Sequence, residues 1–145
     1  MRDLPRQLSA DELAELFEGD TPLVERLSGL EDPLGRARAV AAGLSDAEKR
    51  AVLDAHPAIG AKRLSARSAA EQGADADPEV LAELAKLNAE YEARHGFRFV
   101  VFVNGRPKSE IVAVLKERLE RTREQELATA LDELVAIAVD RWRRS

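Results

Sequence analysis

Phe97-Arg98-Phe99-Val100-Val101-Phe102-Val103 is the stretch on which the fold class turns. Aromatic and β-branched residues crowd it, so locally it reads as a strand. A lone strand is not stable by itself, and nothing else in the 145 residues offers it a convincing partner. The segment is therefore expected to be an extended buried piece or the start of a helix, and the fold to be all-α, a single-domain helical bundle over residues 1–145. Immediately before it, Asp77 caps, Pro78 suits a first helical turn, and Val80, Leu81, Leu84, Leu87 and Tyr91 recur at helical spacing until Gly96 stops the helix. Asn88 and Tyr91 lie on or near that apolar stripe, as groups that hydrogen-bond within the core. After the segment, Ile111, Val112, Leu115 and Leu119 mark one helix, and residues 124–144 a second with Leu127, Leu131, Leu134 and Ala138 on one face. Arg141 continues that stripe, about 40° from Leu127 at 100° per residue.

The N-terminal half repeats one device. Ser9-Ala10-Asp11-Glu12 and Ser45-Asp46-Ala47-Glu48 are both capping boxes, in which serine and glutamate satisfy each other's exposed N–H groups. Leu13, Leu16 and Phe17 give the first helix its apolar face, and Gly19-Asp20-Thr21-Pro22 breaks it. A short segment carries Leu23, Val24 and Leu27, Glu31-Asp32-Pro33 signals a turn, and residues 34–43 form an alanine-rich helix that Gly43 can stop. The helix after Ser45 carries Ala51, Val52 and Ala55 on one side and must end near His56, because Pro57 disfavours helical geometry in its predecessor. Residues 62–76, polar and rich in Ala and Ser, read as loop or short helix.

Composition narrows the function classes. Lys and Arg number 22 against 27 Asp and Glu, a formal charge of -5 that repels phosphate backbones and argues against nucleic acid. There is no cysteine, hence no disulfide, thiolate nucleophile or Cys-ligated metal. No apolar run reaches the roughly 18 residues of a membrane span, and residues 1–7 lack the apolar region of a secretory signal. Arg143-Arg144-Ser145 is not a peroxisomal address, so the expected location is the cytoplasm. No phosphate-cradling glycine loop, metal-binding histidine pair or nucleophile elbow is present, so no cofactor and no metal are expected.

Few residues are left to carry chemistry. His56 stands at a rigid corner, where side chains are held for function, although a histidine at a helix end also interacts with the helix dipole. His95, beside Gly96, fits a helix end still better and reads as structural or solvated. Ser68, Glu71 and Gln72, at i, i+3 and i+4, share one face if helical, and offer a hydroxyl, a carboxylate and an amide to a ligand or to solvent. Arg141 either meets a ligand or snorkels at the helix end.

The strings Ala55-His56-Pro57-Ala58-Ile59-Gly60, Ser68-Ala69-Ala70-Glu71-Gln72 and Leu87-Asn88-Ala89-Glu90-Tyr91, with Arg94-His95-Gly96-Phe97-Arg98-Phe99-Val100, resemble the OHCU decarboxylase family. Arg118-Leu119, Glu126-Leu127-Ala128-Thr129-Ala130-Leu131 and Ile137-Ala138-Val139-Asp140-Arg141 look like that family's ending, while the N-terminal third matches only loosely. The resemblance implies an all-α carboxy-lyase, usually a homodimer, that converts 2-oxo-4-hydroxy-4-carboxy-5-ureidoimidazoline to (S)-allantoin in urate breakdown without metal or organic cofactor. It implies His56 and Glu71 as catalytic residues. It also implies Pro57, Ser68, Gln72, Phe97, Phe99, Val100, Val101 and Arg141 as substrate-binding residues, the aromatic segment lining the pocket and supplying backbone contacts. In this reading His56 orients or deprotonates the hydroxy-carboxylate part and it, or a water, later delivers a proton; a pKa near neutrality serves either role. Arg98 is a departure, because the family usually has proline between the two phenylalanines; it would loosen that loop or add a positive charge. Two other readings fit the same residues: a helical module that binds a partner or a ureide without turnover, and an enzyme of this fold acting on another ureido compound.

Overall fold

A computed structural model describes residues 3–57 and 77–144 of the chain. The described residues form seven helices and no strand: α1 (Ala10–Phe17), α2 (Pro22–Leu27), α3 (Pro33–Ala42), α4 (Asp46–Asp54), α5 (Pro78–His95), α6 (Lys108–Leu119) and α7 (Arg123–Arg144). Both capping boxes form, with Ser9 and Ser45 each accepting from the N–H three residues on and the glutamate side chain closing back. A third such pair, unread in the sequence, starts α7: Thr122 Oγ1 accepts from Gln125 N–H and Gln125 Oε1 accepts from Thr122 N–H, both at 3.1 Å. Gly96 ends α5 at φ 82°, a left-handed conformation that glycine adopts without penalty.

The long α7 is the axis of the bundle. Leu127, Ala130, Leu131, Leu134, Val135, Ile137 and Ala138 are buried, and the helix packs on α1, α3 and α4, while α5 pairs with α6. Arg123 pins its start, donating to both carboxylate oxygens of Asp46 at 2.9 and 3.1 Å and, through Nε, to the His95 carbonyl at 3.0 Å. The far end is tied by Trp142, whose indole N–H donates to the Asp3 carbonyl at 2.7 Å. No described helix is long and apolar enough to cross a membrane.

Residues 97–103 are the extended buried piece, not a helix start. Phe97, Phe99, Val100, Val101 and Val103 are buried. Buried main-chain groups must find partners, and here side chains supply them in place of a second strand. Arg118 Nη1 donates to Val100 O at 2.8 Å, and Arg106 donates to Phe102 O at 2.6 Å and Val103 O at 3.1 Å. Phe102 N–H reaches Glu133 at 3.4 Å, and Arg98 N–H reaches the Asp54 carboxylate at 3.0 Å.

Beneath the segment lies a polar network enclosed in the core. Glu126, fully buried, accepts from Tyr91 Oη at 2.6 Å, from Arg118 Nε at 2.7 Å and from Arg121 Nη1 at 2.9 Å. Burial, and then the bond to Glu126, push the Tyr91 phenol well above its ordinary range, so it stays a donor. The Arg118 guanidinium lies 4.6 Å from the Phe99 ring centroid, and Phe97 and Phe99 meet the Tyr91 ring edge-on at 5.9 and 5.2 Å. His95 is buried against the same ring, at 4.6 Å, which makes it a core residue and excludes the solvated reading.

Candidate functional site

The last turn of α4 ends at Ala55, and the next residue is His56, whose N–H still reaches Leu53 O at 3.1 Å. Its side chain is therefore fixed at the corner between α4 and Pro57. Only 7% of His56 is exposed, and among the described residues its Nδ1 has no hydrogen-bond partner. An unpaired buried nitrogen costs about 1–3 kcal/mol, an amount a bound ligand can recover. Burial, reinforced by the positive charge of Arg141 and, more weakly, Arg98, pushes the imidazole down to about 4, against the opposing charge of Glu18. The value lies below the near-neutral one expected from sequence, and at pH 7 His56 is a neutral base.

Arg141 does not snorkel. It is 2% exposed, donates through Nη1 to the Leu16 carbonyl at 3.0 Å, and pairs through Nη2 with Glu18 Oε1 at 3.0 Å. The guanidinium on the apolar stripe of α7 is thereby drawn to the C-terminal end of α1, whose exposed carbonyls and negative dipole end favour a cation.

Glu18 was not singled out in the sequence. It caps α1 with φ 64°, a left-handed conformation that glycine usually takes, so a glutamate there is strained by about 1 kcal/mol. Strain of this kind persists where a contact demands it, and here the contact is the ion pair with Arg141. The Glu18→Gln substitution removes the negative charge that opposes loss of the His56 proton, so the imidazole midpoint is expected to fall below its value in the parent protein. A ring-proton NMR titration checks this, and an unmoved midpoint would separate Glu18 from the site.

Of the residues named from sequence, His56, Pro57 and Arg141 come together, the first two adjacent in the chain and the third linked to His56 through its field. Phe97, Phe99, Val100 and Val101 are buried, with the two phenylalanine rings against Tyr91. Ser68, Glu71 and Gln72 lie outside the described residues. Arg98 does not loosen its segment. It adds the expected positive charge and bonds to Asp54, His56 and Glu92; a proline there would lack the N–H that meets Asp54. Among the described residues no group of three or more His, Asp or Glu side chains could hold a metal ion.

The family model described as OHCU decarboxylase matches residues 2–143. The chain is 26% identical to the uric acid degradation bifunctional protein PucL of Bacillus subtilis (strain 168) over 95% of its own length, but it spans only 30% of that relative. It is 27% identical to the 2-oxo-4-hydroxy-4-carboxy-5-ureidoimidazoline decarboxylase of Halalkalicoccus jeotgali, covering 88% of this chain and 79% of that one. A crystal structure of OHCU decarboxylase in the presence of (S)-allantoin superposes with a TM-score of 0.75 at 24% identity, covering 90% of this chain and 94% of the other. A family model that matches nearly the whole chain, on a helical fold shared with a solved member, places this protein in the OHCU decarboxylase family.

Proposed function

We propose that the protein decarboxylates 2-oxo-4-hydroxy-4-carboxy-5-ureidoimidazoline to (S)-allantoin, without a cofactor and with His56 moving the protons. The observation that carries this reading is the buried neutral imidazole, whose Nδ1 has no hydrogen-bond partner among the described residues, set in the field of two arginines. Family membership, and a relative named for this decarboxylation, supply the substrate class.

The chemistry asks for a base, a cation and a closed face. The bond from the ring carbon to its carboxylate breaks and carbon dioxide leaves. The electron pair moves into the ring toward the neighbouring carbon–nitrogen double bond, whose nitrogen takes a proton from water. The hydroxyl left on the first carbon then gives up its proton to become a carbonyl, and the carbon bearing the ureido group gains one. A neutral His56 can accept the hydroxyl proton and, as imidazolium, return it to one face, which yields one enantiomer. Arg141 offers a planar donor fork and positive charge to the oxygen on which negative charge develops. In this reading Glu71 shares the catalysis with His56, Ser68 and Gln72 bind the ureido and ring groups, and Pro57 with the main chain of Phe97, Phe99, Val100 and Val101 contributes substrate contacts. The partners in this reading are the small substrate and a second copy of the chain, and its place is the cytoplasm.

Circular dichroism of allantoin during urate oxidation, with urate oxidase and hydroxyisourate hydrolase supplied, tests it. A fast (S)-allantoin signal that depends on this protein is expected. Because the base form of His56 exists above about pH 4, kcat/KM should hold from neutrality down to about pH 5 and fall below. Racemic product at the spontaneous rate would overturn the reading.

A further inference from the structure

We propose that Arg98 is the positioning residue for His56, its side chain and main-chain N–H together clamping the α4 corner that presents the imidazole. The last carbonyls of a helix lack helical partners. Here Arg98 Nη1 takes one of them, Asp54 O at 2.9 Å, and with it the His56 carbonyl just beyond the helix at 2.7 Å. The grip is reciprocal, since the Asp54 carboxylate accepts the Arg98 main-chain N–H at 3.0 Å. Glu92, on α5, holds Nε at 3.3 Å and so fixes the plane of the guanidinium. Three bonds thus join residues more than forty apart: two hold Asp54 in the last turn of α4, and the third holds the carbonyl of the residue whose ring is to do the chemistry. Pro57 stiffens the other side of the corner. A lysine at position 98 would keep the charge but lose the flat fork whose plane Glu92 sets.

The rate consequence rests on the decarboxylase reading; the placement of the ring does not. In the Arg98→Ala protein, kcat should fall roughly ten- to a hundredfold, the scale of an ångström's misplacement of a reacting group, with KM and melting temperature little changed. Arg98→Lys should recover only part of kcat. Independently, NMR titration of the imidazole reads the same residue without any turnover. The charged groups among the described residues that act on His56 are Arg141 from α7, Glu18 at the end of α1 and Arg98 itself. Loss of the Arg98 charge should move the midpoint upward, and Arg98→Lys should hold it near the parent value. Parent protein inactive on the ureidoimidazoline, together with the upward midpoint in Arg98→Ala, would sink the decarboxylase reading and leave the clamp standing. An unmoved midpoint, or a kcat loss matched by an equal loss of folded protein, would overturn the clamp.

Discussion

Replacing His56 with alanine is expected to slow (S)-allantoin formation by roughly 10²- to 10⁴-fold, the usual worth of a positioned general acid–base group. The helical circular dichroism signal should stay, because the side chain sits past the end of α4. The same variant carries a second signature. In the parent protein the folded-state pKa is depressed to about 4, whereas the unfolded chain titrates near 6.5. Below 6.5 the unfolded state therefore binds the extra proton, and stability drains away as the pH falls from there toward 4. The drop across that window is about 3 kcal/mol at 1.36 kcal/mol per unit. His56→Ala should lack that part of the acid sensitivity, read from urea midpoints at pH 7 and pH 4. Full retention of turnover, or an unchanged acid slope, would remove the imidazole from its assigned place.

Glu126→Ala is expected to be the most damaging change to the fold. It strips a fully buried carboxylate from the Tyr91 phenol and leaves Arg118 and Arg121 without their shared anion. Breaking one partner out of a buried ion pair costs about 3–5 kcal/mol, because the other charge stays out of water. For a domain of this size that is roughly 10 °C or more in melting temperature. Tyr91→Phe, which removes a single donor, should cost about 1–2 kcal/mol. A melting point for Glu126→Ala within a degree or two of the parent would show that the network is not the brace that the geometry makes it.

The helices were legible because their ends are written in local chemistry. Ser9, Ser45 and Asp77 cap as their spacing says, Pro22, Pro33 and Pro78 open helices, and Gly96 closes one. The 97–103 segment was half legible. Its β-type residues gave away an extended backbone, but the side chains that replace a partner strand come from Asp54, Arg106, Arg118 and Glu133, and no periodicity connects them. His56 and Arg141 stood out because each broke a pattern, a histidine at a proline corner and a cation on an apolar stripe. Glu18 and Glu126 did not stand out, although Glu126 shares a stripe with Ala130 and Leu134 at steps of four. An acidic residue on a helix in a chain with 27 of them carries no mark of burial; only the tertiary neighbour does that.

The bond from Arg141 to the Leu16 carbonyl spans 125 positions. A contact that distant is assembled against a large loop-closure entropy, while the helices on either side can form from neighbours alone. Helix formation and the docking of α7 on α1 therefore draw on different contacts, local ones for the first and the Arg141 bonds to Leu16 and Glu18 for the second. A species with full helical content but without that docking would leave Arg141 away from the end of α1. A probe of the Arg141–Glu18 pair is accordingly a more sensitive gauge of native assembly in this protein than any spectrum of its helices.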